Sequence, residues 1–176
     1  MVTRTSPSVN TKPKLATPTD LKPEEVQAVC DAVNPLIADA FALYVKTKNF
    51  HWHLAGPQFR DYHLLFDEHA EAIFGSIDTL AERMRRIGAT TIRSIGHIGR
   101  LQTIGDDDED FVPADQMIHR LLIDNRHIAE MQRAAIDVCD ENRDTPTGNL
   151  LQEILDQTER RIWFLYEISQ GREHER

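Results

Sequence analysis

The sequence predicts an all-α protein, a four-helix bundle, and three observations carry that expectation. Four long stretches repeat apolar residues at intervals of mostly three or four, the signature of helices with one buried face. No stretch alternates apolar and polar residues as a half-buried strand does, and no repeat of solenoid period is present. The four stretches also fall two and two on either side of one long connection, an arrangement that suits a bundle. With 176 residues and 40% hydrophobic content, the chain is long enough for one domain with a full core.

Residues 1–23, MVTRTSPSVNTKPKLATPTDLKP, hold four Pro and many Ser and Thr with little to bury, and read as a flexible basic tail. The bundle is expected over 24–170 and a short C-terminal tail over 171–176. Lys22-Pro23-Glu24-Glu25 opens the first helix pattern, in which Val26, Val29, Val33, Ile37, Phe41, Tyr44 and Val45 recur to about Leu54, with Pro35 a candidate kink. After the turn LAGPQF, the run from Phe59 to Arg86 contains no Pro and a single Gly, so it reads as one continuous helix. From Ala89 to Pro113 the chain is a connection in which Ile95, Ile98, Leu101 and Ile104 predict a short helix around 98–103. Met117, Leu121, Ile128, Met131, Ala135 and Val138 mark a third long helix from Ala114 to about Glu141. The segment NRDTPTGN reads as a break, and Leu151, Ile154, Leu155, Ile162, Trp163, Leu165 and Tyr166 place the last helix over about 150–169.

A formal charge of -9 makes the chain acidic. No apolar run approaches the roughly 20 residues a membrane span needs, and the polar, Pro-rich N-terminus lacks a signal-peptide apolar core, so a cytoplasmic protein is expected. Cys30 and Cys139 sit inside helix patterns without a CxxC or Cys-His partner and read as reduced packing residues.

The chemistry-bearing residues are His51, Trp52, His63, Asp67, Asp78 and Glu82. At about 100° per residue, His63 and Asp67 lie roughly 40° apart on the second helix, Asp78 about 20° further and Glu82 about 40° beyond that, so all four share one stripe. Along the axis, however, His63 and Asp78 are separated by roughly 22 Å. One metal cannot touch both within one chain. Two copies packed antiparallel about a twofold axis would bring the His63 end of one to the Asp78 and Glu82 end of the other, giving paired sites shared across an isologous interface. Imidazole with carboxylate is a ligand set that suits iron. A diiron centre inside one bundle normally takes a Glu-x-x-His pair from each of two helices, and none of the eight histidines has Glu three residues before it. The nearest mimic, Asp124-x-x-His127, reads as a solvated helix face.

The stretch KNFHWHLAGPQFRDYHLLFDE, followed by DTLAER from Asp78, resembles the Dps family of miniferritins. The matching positions are His51, Trp52, Gly56, Phe59, His63, Asp67, Asp78, Ala81, Glu82 and Arg83, and the likeness in helix plan extends over about 24–170. This resemblance implies a ferritin-like bundle, twelve of which form a hollow spherical shell. It also implies ferroxidase centres at the twofold interfaces, each oxidising two ferrous ions, with hydrogen peroxide preferred to dioxygen, and ferric mineral stored inside. His51, His63 and Asp67 would come from one subunit, Asp78 and Glu82 from its neighbour, and Trp52 would quench stray oxidising equivalents or else close the core. Zinc is a candidate competitor for the site.

His53 stands where the family often has Asn and is a candidate further ligand, although about 200° of helix separates it from His51. Glu71 continues the stripe and is a candidate relay. The acidic run Asp106 to Asp110 would attract cations or serve only as a solvated loop. By the family's plan, Asp137, Asp140, Glu141 and Asp144 are candidates for an iron-entry pore. The tail's Arg4, Lys12, Lys14 and Lys22 against Asp20 leave about +3, enough for non-specific phosphate contact with DNA. The alternative reading is therefore a DNA-coating structural protein, although the shell's own negative charge opposes DNA except at the tails. No helix-turn-helix or zinc motif supports sequence-specific binding.

Overall fold

The computed structural model describes residues 15–170, so Arg4, Lys12, Lys14 and the segment 171–176 lie outside the described residues. Among those described there are five helices and no strand: α1 (Pro23–His53), α2 (Phe59–Arg86), α3 (Ile95–Leu101), α4 (Ala114–Glu141) and α5 (Thr145–Gln170). Helices α1 with α2, and α4 with α5, form the two principal packed pairs; α1 joins them through α4, and α2 meets α5. The short α3 lies across α1. This is the four-helix bundle with a short helix in the mid-chain connection that the sequence predicts.

Helix α1 begins where Pro23 occupies the first turn and Glu25 accepts the Lys22 backbone N–H at 2.7 Å. Pro costs nothing there because that N–H has no partner inside a helix. The helix continues through Pro35 without a break. At 31 residues, with a mean hydropathy of 1.4 in its most apolar stretch, α1 reaches the length and apolarity of a membrane span, a match the sequence reading did not register. Its apolarity is used inside the bundle: Val29, Val33, Ile37, Leu43 and Phe50 are all at most 1% exposed and join Phe66, Leu80, Met84, Met117, Leu121, Leu151 and Leu165 in one core.

Two glycines set the ends of α2. Gly56 turns the chain back along α1 at φ +121°, where no neighbour limits a side chain, so the requirement is purely conformational. Gly88 ends the helix at φ +86°, and a Cβ there would stand 2.9 Å from the Thr17 carbonyl oxygen. Close approach is needed because the base of the N-terminal arm docks here. Thr17 Oγ1 donates to the Arg85 carbonyl at 2.8 Å, and Arg85 Nη2 donates to the Leu15 carbonyl at 2.6 Å.

Two boundaries differ from the sequence reading. Helix α3 starts at Ile95, three residues before the predicted start, because the Ser94 hydroxyl caps it by accepting the His97 N–H at 3.1 Å. It ends at Leu101, and the chain after it is pinned by fully buried Asp39, which accepts from Thr103 N at 2.5 Å, Thr103 Oγ1 at 2.8 Å and Ile104 N at 3.0 Å. Helix α5 starts at Thr145, inside the segment taken as a break. Asp144 accepts the Thr147 N–H at 3.3 Å as an N-terminal cap, and Pro146 then falls in the first turn, where it is tolerated. Cys30 and Cys139 are free thiols in the core, and burial pushes the Cys139 thiol up to about 12.

Candidate metal centre

The turn at 54–58 brings the last turn of α1 against the first turn of α2, and the two chemistry-bearing histidines meet there. The rings of His51 and His63 stack with centroids 3.7 Å apart and planes 19° from parallel. His51 Nδ1 lies 2.8 Å from the His63 carbonyl oxygen, and His63 Nδ1 lies 3.1 Å from the His51 carbonyl oxygen. A carbonyl can only accept, so each Nδ1 carries a proton and donates. That leaves Nε2 as the nitrogen of each ring that can offer a lone pair to a metal once it carries no proton. Phe59 stacks on the far side of His63 at 5.0 Å.

One turn along α2, Asp67 Oδ1 receives Lys48 Nζ at 2.5 Å. That hydrogen bond is the main reason the Asp67 carboxyl is held below its ordinary range, with smaller contributions from Lys48, His51 and His63 as nearby positive charges. Asp67 is thus an ionised carboxylate in the field of both imidazoles. Lys48 is a part of the site that the sequence reading missed. Its signal was present, since it precedes His51 by three residues and so shares that face of α1.

Asp78 and Glu82 are exposed further along α2. Glu82 meets Arg86 at 2.8 Å, with both side chains more than half exposed, an interaction worth little energetically. Among the described residues, no three His, Cys, Asp or Glu side chains are gathered closely enough to hold a metal. One chain therefore presents two separate groups, His51, His63 and Asp67 at one end of α2 and Asp78 with Glu82 toward the other.

The remaining candidates scatter. Trp52 is 63% exposed, so it does not close this chain's core. With Val45, His53, Ile95 and the acidic loop it lines a groove of about 660 Å³. His53 Nδ1 donates to the Asn49 carbonyl at 2.9 Å, apart from the stacked pair, and Glu71 is exposed. The acidic run is not uniformly solvated: Asp107, only 6% exposed in its side chain, pairs with Arg120 at 2.8 Å, and Glu109 pairs with the same guanidinium at 2.9 Å. Asp124 is likewise no solvated residue, being paired with Lys46 at 2.7 Å in a largely buried contact between α1 and α4. Asp137, Asp140 and Glu141 are exposed on the last turns of α4. Asp144 must be withdrawn from the pore candidates. It is 1% exposed, accepts Arg83 Nη2 at 2.6 Å and Thr147 Oγ1 at 2.5 Å, and caps α5. Of the four basic tail residues only Lys22 is described, and it is exposed beside the start of α1.

Residues 30–172 match the ferritin-like domain family. The chain is 34% identical over 152 residues to an uncharacterized low temperature-induced protein of Nostoc sp. (strain PCC 7120), covering 86% of this chain and 85% of that one. It is 33% identical over 143 residues to the DNA protection during starvation protein of Brevibacillus brevis, covering 79% of this chain and 93% of the relative. Among solved structures, DpsC from Streptomyces coelicolor superposes with a TM-score of 0.83 at 29% identity, covering 86% of this chain and 88% of that chain.

Proposed function

The chain belongs to the Dps family of ferritin-like proteins, and on that premise we propose that it is a ferroxidase and iron store, oxidising Fe2+ at sites shared between two copies and protecting DNA by removing the reactants that damage it. The observation that carries this reading is the His51–His63 lock, which commits both Nδ1 atoms to backbone carbonyls and leaves two Nε2 atoms as the possible metal ligands beside Asp67, while the complementary carboxylates Asp78 and Glu82 stand further along α2 on the same chain. A twofold partner supplies what each chain lacks.

Iron is the substrate. The neutral imidazoles of His51 and His63 admit Fe2+, and the carboxylates of Asp67, Asp78 and Glu82 favour the ferric state, which drives the oxidation. With hydrogen peroxide as oxidant, two ferrous ions give up one electron each, the O–O bond breaks, and two protons complete two waters. No hydroxyl radical need be released when both electrons are delivered together. Dioxygen is the slower alternative oxidant, and zinc competes because it accepts the same nitrogen and oxygen ligands. Trp52 sits one residue from His51, where it can surrender an electron to a stray oxidant. A dodecameric shell gives the ferric product an interior to fill, with Asp137, Asp140 and Glu141 offered as entry acids. Action in the cytoplasm suits the two free thiols.

Direct DNA contact is a second route to protection, and its support is the name of the Brevibacillus relative together with the basic tail. Stopped-flow oxidation of Fe2+ by hydrogen peroxide, with assembly size measured in parallel, tests the main reading. Fast oxidation by the wild type, lost in a His63→Ala, Glu82→Ala shell of unchanged size, supports it; equal slow rates in both leave DNA coating through the tail as the function.

A further inference from the structure

Arg161 is a buried cation with which no acid among the described residues pairs. The side chain, on α5, is 6% exposed, and its hydrogen bonds go to neutral groups only: Nε donates to Asn125 Oδ1 at 2.8 Å and Nη2 to Thr158 Oγ1 at 2.9 Å. Among the described residues no carboxylate pairs with it, and desolvation alone acts on its ionisation, lowering its pKa to about 10, so it stays charged at neutral pH. A buried charge without a counter-charge is costly and is retained where something compensates it.

The compensation can come from one side. Arg161 forms part of the wall of a pocket of about 290 Å³ between α2 and α5, shared with Glu68, His69, Gln157, Arg160 and Phe164. A water molecule needs roughly 30 Å³, so a small hydrated ion fits. Arg160 sits 5.5 Å over the Phe164 ring, which holds a second guanidinium at the wall. His69 is buried with its ring against Phe164, and the structure shows it making no hydrogen bond among the described residues, leaving its ring N–H free to donate. Gln157 adds an amide. Among the described residues Glu68 is the one acid lining the pocket, and no ion pair joins it to either arginine. Two guanidiniums, an imidazole and an amide form a donor set for several oxygens at once, which a planar guanidinium recognises better than it does a spherical ion.

We propose that this α2–α5 pocket binds a small inorganic oxyanion of the phosphate class, with Arg161 at its floor and Arg160 at its rim. None of the ferroxidase candidates His51, His63, Asp67, Asp78 and Glu82 lines this pocket.

The test is calorimetric titration of inorganic phosphate into the assembled, iron-free protein in chloride buffer at constant ionic strength. Saturable binding near one phosphate per chain is expected. Arg160→Gln, a rim change that leaves the core intact, should weaken it roughly fivefold or more through loss of a charged hydrogen bond, and Glu68→Gln should tighten it by removing the repelling carboxylate. Arg161→Met should abolish binding; if that chain does not assemble, the two rim variants decide. No saturable uptake by the wild type, or one affinity shared by the wild type and both rim variants, overturns the proposal. Because no iron is present, neither result depends on the oxidation chemistry.

Discussion

His51 and His63 each donate Nδ1–H to the backbone carbonyl of the other, at 2.8 and 3.1 Å, beneath a ring stack of 3.7 Å. Reciprocal bonding to main chain, not to side chain, fixes the tautomer of each ring independently of the other's identity. In a His63→Ala chain His51 keeps its acceptor and its Nε2 lone pair, so the measured loss is that of one ligand. Oxidation of Fe2+ by peroxide is expected to slow by at least about tenfold, with far-UV circular dichroism and assembly size unchanged. A rate within twofold or so of the wild type would make the stacked pair a packing device.

Lys48 Nζ stands 2.5 Å from Asp67 Oδ1, so if Asp67 is the metal ligand proposed, the ammonium competes with the metal for that oxygen. Iron arriving at that carboxylate must share it with the ammonium or displace it. Lys48→Met removes the competitor, and Asp67 stays ionised at neutral pH even without it, since its ordinary range lies near 3.8. Anaerobic Fe2+ binding should therefore tighten several-fold, an effect limited by solvent at this partly exposed contact. Unchanged or weaker binding would show that Lys48 orients Asp67 in place of opposing the metal.

The helix count, the stripe on α2 and the separation of its two ends were legible because they follow from periodicity and rise per residue, which a single sequence displays. What was not legible depends on pairing between distant segments. The Lys46–Asp124 contact joins residues 78 apart, and nothing local to Asp124 distinguishes a buried ion pair from a solvated face. Asp144 looked like one more acid after Glu141, yet Arg83, 61 residues earlier, had already claimed it. The start of α5 falls inside NRDTPTGN, the segment read as a break, because the cap at Asp144 makes Pro146 and Gly148 part of the first turn of a helix. Arg161 carried no signal at all, because an Arg on a mixed helix gives no hint of burial.

Arg83 ties α2 to the start of α5 through Asp144 at 2.6 Å and, by its Nε, Thr147 Oγ1 at 2.8 Å. Asp144 is 1% exposed, so replacing Arg83 with Met strands a buried carboxylate. The expected loss is about 3 kcal/mol or more, read by denaturant unfolding, and it should be recovered in part by Asp144→Asn, which keeps a side-chain acceptor for the cap. A loss well under about 1 kcal/mol would mean that water reaches Asp144 when Arg83 is gone.

His69 makes stability fall on the acid side. Burial, and then the charges of Arg161 and Arg160, press its pKa from 6.5 to about 4. Above 6.5 the ring is neutral folded or unfolded. Between 6.5 and about 4 the unfolded chain takes up a proton that the fold refuses, so this group's stabilisation is lost as pH falls through that window, by as much as about 3 kcal/mol per chain. Iron-free wild type and His69→Gln, unfolded in denaturant at pH 7, 5.5 and 4, should diverge, with the variant the less sensitive to acid. Parallel curves would show that folding leaves the ionisation of this ring unchanged.

Sites shared across a twofold axis, as proposed here for iron oxidation, would have a quantitative consequence. A His63→Ala chain keeps Asp78 and Glu82 intact, and a Glu82→Ala chain keeps His51, His63 and Asp67. If each site draws its imidazoles from one copy and its distal carboxylates from the other, a mixed dimer of these chains contains one complete site and one doubly defective site. Random reassembly makes about half of all twofold pairs mixed, so about a quarter of the wild-type sites should return. Neither variant alone should show more than residual oxidation. The measurement is the initial rate after the two shells are dissociated, mixed and reassembled, with each variant carried through the same cycle alone. Recovery near one quarter of the wild-type rate requires sites built from two chains. If sites lay within single chains, mixing would give only the average of two inactive proteins, and the twofold reading of His63 and Glu82 would be wrong.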